Sequence, residues 1–88
     1  MRRYSVILKP SVEKDLRKIP ATMVDRLFQR IEGLTSDPFP PQSLKLSGGE
    51  LFYRIRVGDY RIVYQVETEE KQIVIQYIRH RRDVYRDL

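Results

Sequence analysis

The chain has 88 residues, room for one domain with a small core and none for a second. Its 41% hydrophobic and 33% charged residues belong to a folded, highly charged domain and exclude a disordered chain. The net charge of +5 points to an acidic partner, and the lack of cysteine excludes disulfides and Cys-ligated zinc. A single histidine, His80, also argues against a His-based metal site, and no cofactor is expected. No apolar run approaches the ~18 to 20 residues of a membrane span. The start, Met1-Arg-Arg-Tyr-Ser, lacks the apolar segment of a signal peptide, so the expectation is a cytoplasmic protein with no membrane partner.

Tyr4, Val6 and Leu8 alternate with Ser5 and Ile7, which predicts a first strand ending at Lys9-Pro10. Ser11 reads as an N-cap, and Val12, Leu16 and Ile19 follow at helical spacing, predicting a helix over 11–19. Pro20 ends it and Thr22 caps the next. Val24, Leu27, Phe28, Ile31 and Leu34 form an apolar stripe over 22–34, with Gly33 weakening the last turn. The two helices should form an αα-hairpin whose stripes, Phe28 included, belong to the core. Residues 35–50 hold Pro38, Pro40, Pro41, Gly48 and Gly49 without periodicity and read as a long loop. Within it Lys45, in Leu44-Lys45-Leu46, is a candidate cation beside the site described next.

Residues 53–66, Tyr-Arg-Ile-Arg-Val-Gly-Asp-Tyr-Arg-Ile-Val-Tyr-Gln-Val, flank Gly58-Asp59 and predict a β-hairpin with a two-residue turn. That turn sets Val57 opposite Tyr60, Arg56 opposite Arg61, Ile55 opposite Ile62, Arg54 opposite Val63 and Tyr53 opposite Tyr64. One face is therefore Tyr53, Ile55, Val57, Tyr60, Ile62 and Tyr64, a core face. The other carries Arg54, Arg56 and Arg61. Like charges directly opposite each other cost roughly 0.2 to 1 kcal/mol, so Arg56 facing Arg61 points to an anionic ligand. Glu67 to Lys71 is a polar turn, and Gln72-Ile-Val-Ile-Gln-Tyr-Ile78 is a central strand, apolar on both sides. The expected fold is α+β over residues 1–88, in the order β-α-α-β-β-β. Its sheet is mainly antiparallel and four-stranded, with the αα-hairpin on one face and a short C-terminal tail or helix.

The last ten residues, Arg79-His-Arg-Arg-Asp-Val-Tyr-Arg-Asp-Leu88, begin where the final strand ends. A basic site bounded by the hairpin, that strand and the tail would gather Arg54, Arg56, Arg61, Arg79, Arg81 and Tyr85, with His80 nearby and Arg82 as a further cation. Arginine forks suit phosphate oxygens and a tyrosine ring can stack on an unpaired base, the outline of a single-stranded RNA site. No helix-turn-helix, zinc-finger or RNA-recognition-motif signature is present.

These segments resemble the RelE/ParE toxin superfamily, and its RelE branch in particular. The resemblance runs through Lys9-Pro-Ser-Val-Glu-Lys-Asp-Leu16, Leu44-Lys-Leu46, Tyr53-Arg-Ile-Arg56, Gly58-Asp-Tyr-Arg-Ile-Val-Tyr64 and Ile78-Arg-His-Arg-Arg-Asp-Val-Tyr85. It implies a toxin of a bacterial type II toxin-antitoxin pair that cuts mRNA without a metal, usually in the ribosomal A site. A cognate antitoxin, RelB-like or other, acidic and partly disordered, would silence it. By position Arg61 matches the arginine that steadies the scissile phosphate, Arg79 or Arg81 the C-terminal catalytic arginine, with Arg81 favoured, and Tyr85 the C-terminal tyrosine. Arg54 and Arg56 stand where the best-known members have lysines. A guanidinium cannot act as a base near neutrality, so removal of the 2′-hydroxyl proton would fall to Tyr85 or His80. The competing expectations are a ParE-like inhibitor of DNA gyrase without nuclease activity and a non-toxic relic that only binds antitoxin.

Overall fold

The computed structural model describes residues 3–46 and 51–82. Its elements run β1 (Ser5–Leu8), α1 (Pro10–Arg17), α2 (Ala21–Ser36), β2 (Leu44–Lys45), β3 (Phe52–Val57), β4 (Tyr60–Glu67) and β5 (Gln72–His80). The fold is α+β as expected, but among the described residues the sheet has five strands, in the order β1-β5-β4-β3-β2. The extra strand is β2, which pairs antiparallel with β3 inside the predicted loop. A strand of two residues has no alternation to read.

The hairpin has the register its turn demands, from Val57 opposite Tyr60 to Tyr53 opposite Tyr64. Gly58 has φ +61 at the first central position, the pattern of a type II′ turn, whose twist matches the flanking strands. A Cβ there would lie 3.1 Å from the Met23 Cε atom of α2, a flexible side-chain end that could give way, so the positive φ and not space is what calls for glycine. β4 continues antiparallel into β5, with a shift between Val63 and Tyr64 that leaves Gln76 as the extra residue of a bulge. β1 pairs parallel with β5, from Ser5 opposite Gln72 to Leu8 opposite Ile75.

Both helices cover one face of the sheet. Val12 of α1 and Leu27, Ile31 and Leu34 of α2 are buried against Ile55, Val57, Ile62, Tyr64, Val66, Ile73, Ile75 and Ile78. Phe28 departs from expectation: next to Leu27 it turns off the stripe and is 42% exposed. The helix limits move as well. Pro10 occupies the first turn of α1, where its missing N–H costs nothing, so Lys9 is the N-cap and Ser11 lies inside the helix. Pro20 is likewise the N-cap of α2, with Thr22 within it, and the helix runs past Gly33 to Ser36.

Ser11 and Asp15, one helical turn apart, serve the edge of β5 where β1 has run out. The Ser11 hydroxyl donates to the Gln76 carbonyl at 3.3 Å, and the Asp15 carboxylate accepts from the Ile78 N–H at 3.2 Å. Side chains of α1 thus replace a strand neighbour and hold the C-terminal half of β5. At the other edge, the Tyr64 hydroxyl donates to the Pro38 carbonyl at 2.8 Å and ties the proline-rich connection to the core. Tyr53 stacks on Tyr64 and takes Phe39 edge-on. Burial pushes the Tyr64 phenol up to about 12.

Candidate functional site

The face of the sheet away from the helices carries the arginines. Strand alternation puts Arg54, Arg56, Arg61 and Val63 on it, and pairing adds Arg79 opposite Arg61 and Tyr77 opposite Val63. Arg56, Arg61 and Arg79 therefore form one row across β3, β4 and β5. With neighbouring strands about 4.8 Å apart, the row is roughly 10 Å long. Arg61 is half-buried at its centre, while Arg56 and Arg79 are exposed at its ends.

At the hairpin tip the Arg81 N–H donates to the Asp59 carbonyl at 2.7 Å, which extends the β4–β5 pairing to the turn. Arg81 then lines a small recess of about 40 Å³ together with Arg56, Gly58, Asp59, Tyr60 and Arg61. Arg79 and Arg81 thus both reach Arg61, one as a cross-strand neighbour and one over the tip. The two alignments open in the sequence correspond to two positions around a single guanidinium. Such an arrangement suits an anion with several oxygens, because guanidinium forks donate in a plane and keep their charge at any working pH.

The remaining candidates are distributed differently. Arg54 is half-buried on the same face, two residues from Arg56. Arg82 is exposed beyond the strand end, and lines a recess of about 390 Å³ with Asp59, His80 and Arg81. Lys45 pairs with Tyr53 and so shares the helix-side face; Leu44 stands beside Arg54 instead. The short strand whose register decides this has no signature in the sequence. Tyr85 lies outside the described residues.

His80 pairs with Tyr60, on the face opposite to Arg61 and Arg79. Its ring meets Tyr60 edge-on at 5.2 Å, and its Nδ1 accepts from the Arg82 N–H at 3.1 Å. In the neutral ring that leaves the proton on Nε2. The ring stands at the strand end, beside a recess of about 470 Å³ shared with Asp15, Lys18, Ile19, Tyr60, Ile78 and Arg79. To serve a phosphate held by Arg61, it would have to be reached around the end of β5.

Sequence reasoning overlooked Asp15 and Tyr77. Asp15 holds the Ile78 N–H directly before Arg79. The only trace of this was the polar pair Ser11 and Asp15 at helical spacing, of which Ser11 read as a cap. Tyr77 carries the Arg79 guanidinium over its ring at 4.5 Å, fixing one end of the row by a cation–π contact. Alternation alone would have placed the two together.

Known proteins resemble this chain. The profile of the ParE toxin of the type II toxin-antitoxin system parDE matches residues 6–85. A RelE1 protein of Methanocaldococcus jannaschii, described as a candidate toxin, is 28% identical over 88 residues, covering 97% of this chain and 98% of its own. The toxin RelG of Mycobacterium tuberculosis is 29% identical over 87 residues, covering 94% and 97%. Among solved structures, the archaeal RelE–RelB complex from Pyrococcus horikoshii contains a similar chain. It is 30% identical, with a TM-score of 0.78, over 90% of this chain and 96% of that one.

Proposed function

We propose, for a chain that belongs to the ParE toxin family of type II toxin-antitoxin systems within the RelE/ParE superfamily, that toxicity is exerted by cutting mRNA. The observation that carries this reading is the row of Arg56, Arg61 and Arg79 with Arg81 at its tip, on an open sheet face. A row of facing like charges lowers stability, and a polyanion is the ligand that reverses the cost.

In the proposed reaction the RNA 2′-oxygen attacks the adjacent phosphorus as the bond to the 5′-oxygen breaks. The products are a 2′,3′-cyclic phosphate and a 5′-hydroxyl. Arg61, flanked by Arg56 and Arg81, stabilises the charge that grows on the phosphoryl oxygens, so no metal is required. Tyr85 or His80 takes the 2′-hydroxyl proton, and a proton from solvent or from the same group goes to the leaving 5′-oxygen. The ribosomal A site is the proposed place of cleavage. A RelB-type antitoxin is the proposed partner, supported by the RelE–RelB complex of the Pyrococcus relative. An acidic, partly disordered antitoxin segment that covered the arginines would silence the site.

The match to the ParE profile favours a second reading, inhibition of DNA gyrase by binding. Induced expression of the chain alone, with 5′-end mapping of cellular mRNA, separates the two. Cuts inside translated codons that vanish in Arg61→Ala support the nuclease. Growth arrest with intact mRNA selects the gyrase reading, and cleavage that survives Arg61→Ala or needs an added divalent metal overturns the scheme.

A further inference from the structure

Next to the arginine row the same sheet face changes character. Lys9, Ser11, Leu46, Phe52, Val63, Gln76 and Tyr77 enclose a basin of about 380 Å³. Its floor is Val63, only 4% exposed although it points away from the core, and Phe52 and Tyr77 supply aromatic walls. Val63 stands two residues from Arg61 and Tyr77 two from Arg79, so the basin begins about 7 Å from the row, a gap that one ribose-phosphate linker bridges. The Tyr77 ring joins the two regions, because it lines the basin and carries the Arg79 guanidinium.

We propose that this basin seats the unpaired base next to the cleaved phosphate, with Tyr77 as its stacking platform and Gln76 as a reader of its edge. The inference rests on the RNA-cleaving reading and adds to it the source of base preference. A volume of 380 Å³ suits a small planar ring better than a helical segment of a protein partner. The polar rim fits as well. Gln76 is the extra residue of the β5 bulge, and bulges re-aim side chains. Its Nε2 donates to the Val74 carbonyl at 3.5 Å and the Ser11 hydroxyl to the Gln76 carbonyl at 3.3 Å. The Gln76 amide bond is at the limit of hydrogen-bonding distance and is readily exchanged for a ligand's oxygen or nitrogen. Lys9 supplies a cation on the side of the basin away from the row, where the strand's next phosphate would lie.

The test uses the purified full chain and a short single-stranded RNA, 2′-O-methylated throughout so that it cannot be cut, with one 2-aminopurine. Binding should quench the 2-aminopurine. Tyr77→Leu should abolish the quench and weaken binding about tenfold or more, whereas Tyr77→Phe should retain both. Gln76→Ala should leave the quench in place and change which base is preferred there. Thermal melting of each variant shows that it is folded. Equal binding and quenching by Tyr77→Leu, with loss of binding in Arg61→Gln, would overturn the subsite and leave the arginine reading standing. Failure of the unaltered chain to bind or quench the probe would overturn the subsite, while the RNA reading stands or falls separately on cellular mRNA cuts that vanish in Arg61→Ala. Retained RNA binding with loss of antitoxin capture in Tyr77→Leu would show that the basin seats a protein segment.

Discussion

Arg61→Gln should make the protein more stable and less active at once. Arg61 faces Arg56 on β3 and Arg79 on β5. Each facing like-charge pair costs roughly 0.2 to 1 kcal/mol, and the Arg79 pair is the weaker because that guanidinium is drawn over Tyr77. Glutamine keeps a planar amide and most of the apolar stem while removing the charge. The net gain should be about 0.5 to 1 kcal/mol, or roughly 2 to 8 °C in Tm for a domain of this size. At ~1 M salt, where the Debye length falls to about 3 Å, the difference between variant and parent should nearly vanish. Cleavage should fall about a hundredfold to a thousandfold, the usual loss when one donor to a developing oxyanion is removed. Thermal melts at low and high salt, beside single-turnover cleavage of an RNA substrate, measure both sides. A variant that melts lower than the parent, or shows the same difference in high salt, would refute the claim that the row is held against its own repulsion.

Other consequences can be checked separately. Tyr64→Phe should cost about 1 kcal/mol at neutral pH, the net worth of the hydrogen bond to Pro38. Since the folded phenol titrates at about 12 against 10 when exposed, Tyr64 contributes fully below pH 10 and loses about 2 to 3 kcal/mol as pH rises through 12. Urea melts across that window should therefore fall more steeply for the parent than for Tyr64→Phe. Gly33→Ala should stabilise by up to ~1 kcal/mol, because Gly33 sits inside α2 and a Cβ there meets nothing within 4 Å; a lower Tm would contradict this. Asp15→Ala should cost about 1 to 2 kcal/mol and speed amide exchange selectively at Ile78, whose N–H loses its acceptor.

The hairpin was legible residue by residue because a two-residue turn leaves no freedom of register once Gly58-Asp59 is recognised. The same logic puts Arg54, Arg56 and Arg61 on one face. Features that depend on partners distant in the chain were not legible. Nothing local in Ser5–Leu8 announces a parallel pairing with β5, and nothing in Leu44–Lys45 announces a strand. Such gaps hide the side of the sheet on which Lys45 and His80 stand. The final strand was expected to stop at Ile78, but it runs to His80, and two further residues of alternation carry the imidazole to the helix side. Asp15 escaped because its partner is a backbone N–H, which has no sequence identity to match.

The parallel pairing of β1 with β5 has a consequence for the order in which the chain can assemble. Arg56, Arg61 and Arg79 all come from one meander, β3 to β5, whose strands are joined by tight turns. Their alignment requires only short loop closures, which are fast. β1, by contrast, is made first and must wait for the last strand, since Ser5 pairs with Gln72 and Leu8 with Ile75. That long-range closure is the slow, high-contact-order step of the fold. During synthesis β1 therefore leaves the ribosome without its strand partner, until the strand that completes the arginine row also completes the sheet.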